Sequence, residues 1–326
     1  MATIAETAQR LAQLLTGASR ELSDPGGSDL DFLPTIEIRP LARLSAPPDC
    51  FAVDGGQALV ADARCLQVVA TRAARARWQD GRCTLEEQDE LDVHLLRGGG
   101  GGPEGRRSLA ALGAPVAPEA PVDINLLRDW SEWRLVSRCV DEAGPGGLVL
   151  VDGDLQPDWR IAAHWLEELV SRSAARQVAL VGVTKHSSLA RGGAPLVGQL
   201  ELEATGLFGD RACWWAPVAL RRLEIGPGLV VVVARLDPDA RFAFRIDIPA
   251  SADAAAVLGQ LSVLADDAGF PGYPYPLSVA DRLASCPGWA RQDVWSELES
   301  ALDGEGLPEE VRTRAFADRH GLMERA

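Results

Sequence analysis

The chain has 326 residues, 47% of them hydrophobic and 24% charged, enough to bury a full core in one elaborated α/β domain or two tightly joined lobes. A formal net charge of −15 argues against a general nucleic-acid coat protein, which exposes a broad basic surface. It leaves open an enzyme that needs acidic metal ligands and only a local basic track. Six cysteines without a C-x-x-C pair exclude a zinc or redox motif legible from spacing.

Residues 3–22 place Ile4, Ala8, Leu11, Leu14 and Leu15 at helical spacing, which predicts an amphipathic helix. Its stripe docks on the core or on a second subunit, the core being the commoner outcome. Glu6 and the lack of a basic segment before the apolar residues speak against a signal peptide. The longest apolar run, Gly228 to Ala234, is too short to span a bilayer. No membrane association, reduced thiols and a cytoplasmic location are therefore expected. Residues 23–49 are rich in Pro, Gly and Asp and read as an extended arm. The expected division is an N-terminal helix and arm over 1–49 and a main domain over 50–326.

Phe51–Val53 reads as a short strand ending in Asp54-Gly55-Gly56. Residues 65–78 and 82–96 follow as two more strands, with Gly81 in the turn, giving a three-stranded antiparallel meander. The glycine run Gly98–Gly102 and its Pro and Ala neighbours predict a flexible insertion over 97–121. Leu126, Leu127, Trp130, Trp133 and Val140 predict a helix over 123–143, stopped by Gly144-Pro145-Gly146-Gly147. Leu148–Val151 is a continuous apolar run, as in a strand buried on both faces, and ends in Asp152-Gly153-Asp154. A helix over about 158–175 precedes a second buried strand, Val178–Val183, which ends in Thr184-Lys185-His186. Three further strands are expected within 212–248 and a helix over about 252–268. After the loop Pro271–Pro276, helices are expected near 277–285, 289–303 and 307–319, so that 286–326 is a helical C-terminus. This order predicts an α/β fold: a ribonuclease H-like mixed sheet with flanking helices and an N-terminal helical arm.

Asp54 and Asp152 each close an apolar strand and precede glycine, which lets the chain turn and leaves room for a phosphate or metal. A single Asp-Gly of this kind is usually only a turn; its recurrence after two buried strands points to a shared carboxylate site. Glu132 lies on the helix preceding the Asp152 strand, where it is either a third carboxylate or a solvent-facing charge, and Asp129 competes for the same place. Lys185 follows a buried strand in a chain where lysine is rare, as a point charge for a phosphate or as an ordinary loop residue. Tyr273 and Tyr275 sit in a proline-braced loop and either stack on bases or pack the loop. Asp281 is a further ligand or a first-turn acid favoured by the helix dipole. Asp247 alternates out of a strand as another candidate.

Four segments in order carry a family resemblance: Ala52-Val53-Asp54-Gly55, Leu150-Val151-Asp152-Gly153, Val181-Gly182-Val183-Thr184-Lys185 and Gly272-Tyr273-Pro274-Tyr275-Pro276-Leu277. From about residue 50 to 285 the chain resembles the NurA nucleases. The resemblance implies a ribonuclease H-like fold, a manganese-dependent site, and 5′-to-3′ exonuclease and single-strand endonuclease activity on DNA. It also implies a homodimer working with the hexameric HerA ATPase in DNA end processing. By motif position, Asp54, Glu132 and Asp152 match the family's acidic residues. Asp281 stands where the family usually has histidine, and a carboxylate remains a good oxygen ligand for Mn²⁺ or Mg²⁺.

The chemistry expected of such a site is metal-assisted hydrolysis, with Asp54, Glu132, Asp152 and Asp281 as ligands and Lys185 steadying the phosphate. Tyr273 or Tyr275 stacks on a base. Arg72, Arg75, Arg77, Arg241 and Arg245 line a groove for single-stranded DNA. Two rival readings are a non-catalytic adaptor docked on an ATPase ring and a phosphohydrolase using Asp152-Gly153-Asp154 as an aspartyl nucleophile.

Overall fold

The computed structural model describes residues 3–17, 19–26 and 29–317. Helix α1 (Ile4–Thr16) is followed by three two-residue strands, β1 (Leu22–Ser23), β2 (Asp31–Phe32) and β3 (Arg39–Pro40). Four strands come next: β4 (Cys50–Asp62), β5 (Leu66–Gln79), β6 (Arg82–Gln88) and β7 (Asp92–Arg97). Then follow α2 (Gly102–Leu112), α3 (Ile124–Glu142), β8 (Leu148–Asp152), α4 (Ala163–Ala175) and β9 (Ala179–Thr184). The short hairpin β10 (Ala190–Arg191) and β11 (Ala194–Pro195) leads into α5 (Leu196–Phe208). The antiparallel run β12 (Trp214–Arg221), β13 (Leu229–Arg235) and β14 (Phe244–Pro249) precedes the helices α6 (Ala254–Leu264), α7 (Tyr275–Ala284), α8 (Gly288–Gly304) and α9 (Glu309–Ala315).

One 11-stranded mixed sheet organises the molecule, in the order β2-β12-β13-β14-β9-β8-β4-β5-β6, with β3 also paired to β12 and β7 to β5. Its centre is parallel: β4 pairs with β8 and β8 with β9, so that Val53, Val151 and Gly182 lie side by side. Both flanks are antiparallel. The alternation of β8 shows why this strand is central. Val149 and Val151 enter one core with Trp133, Val136 and Val140 of α3, while Leu148 and Leu150 enter the opposite core with Leu258 of α6 and Leu277 of α7. A strand covered on both faces must be apolar on both, which is the pattern its sequence carries.

The meander is longer and more bent than its sequence implies. Both β6 and β7 pair with β5, on its C-terminal and N-terminal halves respectively. β4 does not stop at Asp54 but runs on through Gly55 and Gly56 to Asp62. The two glycines therefore make no turn; they thin the strand where other elements press on it.

Two further expectations are corrected, and one helix is added. The segment 97–121 is not a structureless insertion: Gly98–Gly100 form a 3₁₀ turn and α2 follows, with Pro103 in its first turn and Leu109 buried. Leu96, Leu109 and Val122 join one apolar cluster, and that burial outweighs the low helix propensity of the glycines. α1 forms with a complete Thr3–Glu6 capping box, but none of its residues is buried and Ile4, Leu11, Leu14 and Leu15 are exposed. No helix is expected over 196–208 from the sequence, yet α5 forms there and buries Leu196, Leu200 and Ala204 at four-residue spacing along one face. Of the last expected helix, 307–319, α9 accounts for Glu309–Ala315, and residues 318 and 319 lie outside the described residues.

Candidate active site

The in-register parallel strands bring their C-terminal parts to one edge of the core, which is where ligands sit in sheets of this kind. Asp54 on β4 and Asp152 at the end of β8 point to the face covered by α7. The backbone of Gly56 explains how close α7 comes: a Cβ there would lie 1.8 Å from the Ala284 carbonyl oxygen. Only glycine admits that approach, and it sets Asp281, one turn earlier on α7, above the strands. Carboxylate oxygens of Asp54, Asp152 and Asp281 lie within 4.8 Å of one another. Asp281 is in the last turn of α7, where the helix dipole disfavours an acid, so the dipole does not account for it.

Lys185, the chain's only lysine, completes the cluster. Its Nζ is 2.6 Å from Asp152 and 3.3 Å from Asp281, and it stands 5.2 Å above the Tyr273 ring. The Tyr273 ring is buried and therefore supports Lys185 from beneath instead of offering a face to a base. Burial, followed by the Asp152 carboxylate, pushes its phenol well above the ordinary range. Tyr275 faces away, edge-on to Trp78 at 5.6 Å.

Glu132 reaches the site from the other side of the sheet. It is buried on α3, and a Cβ on Gly55 would lie 2.9 Å from its Oε2. The missing side chain of Gly55 is the window through which α3 approaches β4. Glu132 does not share the point where the three aspartates converge; its carboxylate is held by Arg128 at 2.8 Å. Arg128 lies four residues earlier on the same helix, an i, i+4 pair that sequence spacing alone would have found.

The electrostatics follow from this crowding. Burial, then the Asp152 carboxylate, raises the Asp54 pKa to about 7. Burial also raises Asp152, against the opposing effect of Lys185. Glu132 is raised well above the carboxylate range by burial, which outweighs Arg128. For Lys185, burial acts downward but Asp152 and Asp281 prevail and raise it. Three acids in one half-buried space with one cation leave excess negative charge, and all of the donors are oxygen. That donor set fits a hard divalent ion such as Mn²⁺ or Mg²⁺.

The remaining expected site residues are placed elsewhere. Asp129 accepts the Asp158 N–H at 2.7 Å, and burial raises it to about 6. Asp247 and Asp154 turn to Arg245, at 2.9 and 3.6 Å, so the Asp152-Gly153-Asp154 segment does not present two acids to one substrate. The five arginines expected in a groove do not line one surface: Arg241 is exposed in the loop before β14, and the other four are engaged elsewhere. Arg75 is buried between Glu87 at 2.6 Å and Glu142 at 2.7 Å, on the α3 side of the sheet. Arg77 covers Phe51, Arg72 donates to Gln88, and Arg245 is fully enclosed. An arginine in an alternating strand points inward as often as outward, and here burial with acids on neighbouring elements decided the matter.

A family model for the NurA domain matches residues 49–286. Among solved structures, the NurA nuclease from Sulfolobus solfataricus aligns with a TM-score of 0.58 at 15% identity, over 93% of this chain and 94% of that one. A second NurA structure aligns at 0.43 and 9% identity over 75% and 85% of the two chains. The catalytic domain of human endonuclease V aligns at 0.40 and 16% identity over 82% and 92%. No curated protein matches the chain. The mixed sheet and its flanking helices share the fold of the Sulfolobus solfataricus NurA nuclease, in line with the expected ribonuclease H-like arrangement.

Proposed function

The chain belongs to the NurA family, and from that membership we propose that it is a divalent-metal-dependent deoxyribonuclease acting at the Asp54–Asp152–Asp281 cluster. The observation that carries the proposal is the convergence of these three carboxylates within 4.8 Å with Lys185 bridging two of them. Asp54, Asp152 and Asp281 hold the ion, and Glu132, behind the Gly55 window, holds Arg128 and shapes the site from the α3 side. A Mn²⁺ or Mg²⁺ ion bound there supplies Lewis-acid activation of the attacking water and neutralises charge on the leaving oxygen.

The protein's own groups do the rest. Lys185 leaves its bridge between Asp152 and Asp281 and contacts a non-bridging phosphate oxygen, offsetting the charge that develops there. Tyr273, locked beneath it, keeps the ammonium near the phosphate. The helix α7, seated on Gly56, keeps Asp281 over the strand pair. Family membership also supports 5′-to-3′ exonuclease and single-strand endonuclease action, a homodimer, and work beside a HerA-type hexameric ATPase in DNA end processing in the cytoplasm.

The test is manganese-dependent cleavage of a labelled single-stranded oligonucleotide by wild type, Asp54→Ala and Asp152→Ala, each checked for an unchanged circular-dichroism spectrum. Cleavage is expected in wild type and lost in both variants. Undiminished cleavage by both folded variants overturns the site. Absence of specific Mn²⁺ binding by calorimetry would move the reading to a non-catalytic adaptor.

A further inference from the structure

A cavity of about 680 Å³ opens directly beside the acidic cluster and shares Lys185 and Asp281 with it. The size lies within the range of small-molecule sites, about 300–1,000 Å³. Its inner wall is aromatic: Phe244 and Tyr273 are buried, with ring centroids 5.3 Å apart. Its rim is aromatic as well. Phe242, in the turn before β14, is 58% exposed, and Phe270, in the loop before α7, is 52% exposed. Phe270 is steadied by Tyr273 at 6.1 Å, nearly perpendicular, and by Phe244 at 6.5 Å. Two half-exposed phenylalanines thus flank the mouth of one largely apolar cavity, a contiguous aromatic patch rather than scattered single residues.

The shared wall fixes what the cavity is for, given the nuclease reading on which this inference rests. A nucleotide whose phosphate lies at Lys185 and the aspartates carries its base one sugar away, and the adjoining space is largely apolar, with four aromatic rings in its lining beside Glu201 and His186. We propose that the cavity is a base subsite, in which Phe242 and Phe270 stack on an unpaired nucleobase of the strand being cut. Tyr273 and Tyr275 do not serve that purpose: one is buried and the other packs on Trp78. A base inside a duplex cannot enter, so the subsite selects single strands and frayed ends. Stacking tolerates all four bases, because each has a π-face.

The probe is 2-aminopurine deoxyriboside, an uncharged fluorescent nucleoside, titrated in EDTA so that neither metal nor cleavage is involved. Wild type should quench it saturably; Phe242→Ala with Phe270→Ala should weaken binding about 5- to 150-fold, the range for loss of base–aromatic stacking. Phe242→Trp, which keeps a stacking face, should retain quenching and guards against a folding defect. In the second arm, with Mn²⁺, wild type should cut an oligonucleotide more slowly when an abasic residue stands at the scissile position, and the double alanine variant should lose that discrimination. Lack of saturable quenching by wild type, equal affinity of the double variant, or indifference to the abasic residue overturns the subsite. Failure of wild type to cut any DNA overturns the nuclease reading instead, and the nucleoside titration still decides the cavity.

Discussion

Arg245 is the centre of a buried charge cluster whose loss has a definable stability cost. Its guanidinium lies 2.9 Å from Asp247, 3.4 Å from Asp24 and 3.6 Å from Asp154, and the Arg245, Asp247 and Asp24 side chains are at most 1% exposed. Asp247 in turn accepts the Leu155 N–H at 3.2 Å, tying this cluster to the loop that follows Asp152. Arg245→Ala removes the cation in direct contact with the three acids, leaving the more distant Arg221, and strips two enclosed carboxylates, Asp247 and Asp24, of their ion-pair partner. Breaking a buried pair in this way costs about 3–5 kcal/mol. A 326-residue chain unfolds with an entropy of roughly 0.7 kcal/mol/K, at about 2.1 cal/mol/K per residue, so the melting temperature should fall by about 4–7 °C. Thermal melts followed by circular dichroism measure it. Arg245→Met with Asp247→Asn should recover part of the loss, because asparagine keeps an acceptor for Leu155 without a bare charge. A fall below about 1 °C for Arg245→Ala, or a double variant no better than Arg245→Met, refutes the orphaned-charge argument.

Gly56→Ala should prevent α7 from seating, because its Cβ meets a backbone oxygen at 1.8 Å, whereas Gly55→Ala meets the Glu132 carboxylate at 2.9 Å. The first is expected to yield little folded protein, and the second to fold with a loss of about 1–3 kcal/mol and a larger fall in cleavage than in melting temperature. Cys50 and Cys139, whose thiols burial pushes up to about 12, should resist iodoacetamide at pH 8 while exposed Cys65 is alkylated, as read by mass spectrometry. Mn²⁺ at 100 times its Kd should add about 2.7 kcal/mol to wild-type stability, and Asp54→Ala should abolish the upward shift in melting temperature. Binding of single-stranded DNA should depend weakly on salt, with a log–log slope of about −0.7 to −1.4 for one or two phosphate contacts; fluorescence anisotropy giving a slope steeper than about −4 would contradict this.

The parts of the fold that sequence made legible are those in which one local pattern had one outcome. Leu148–Val151 is apolar on both faces and lies between two cores. The helix with Trp130, Trp133 and Val140 buries its predicted face. Asp54 and Asp152 were legible because each follows such a run. What was not legible depended on partners distant in sequence. Gly55-Gly56 reads as a turn, yet its function is set by Glu132 and Ala284, 77 and 228 residues away as counted from Gly55 and Gly56. The segment 97–121 looks flexible because its glycines dominate the composition, while Leu109 and Val122 decide its burial. The aromatic rim was missed for the same reason: Phe242 and Phe270 belong to separate loops and meet only across the cavity.

The fate of the basic residues resolves how a chain of net charge −15 fits a nucleic-acid site. Every Lys or Arg side chain except Lys185 is arginine, and several arginines around the site are committed to acids: Arg75 to Glu87 and Glu142, Arg128 to Glu132, Arg245 to Asp247. A planar guanidinium suits that work, because its fixed fork matches a carboxylate and it loses little by being enclosed. A lysine ammonium is a mobile point charge, better able to exchange a carboxylate for a phosphate. The division of labour therefore follows the chemistry of the two cations. Arginine holds the sheet, helices and loops together around the site, and the single lysine is the cation that the proposed mechanism turns to the substrate. On the proposed nuclease reading, affinity for DNA would rest on phosphate contact at the acidic cluster and Lys185 and on the aromatic rim of the adjoining cavity more than on a broad basic track.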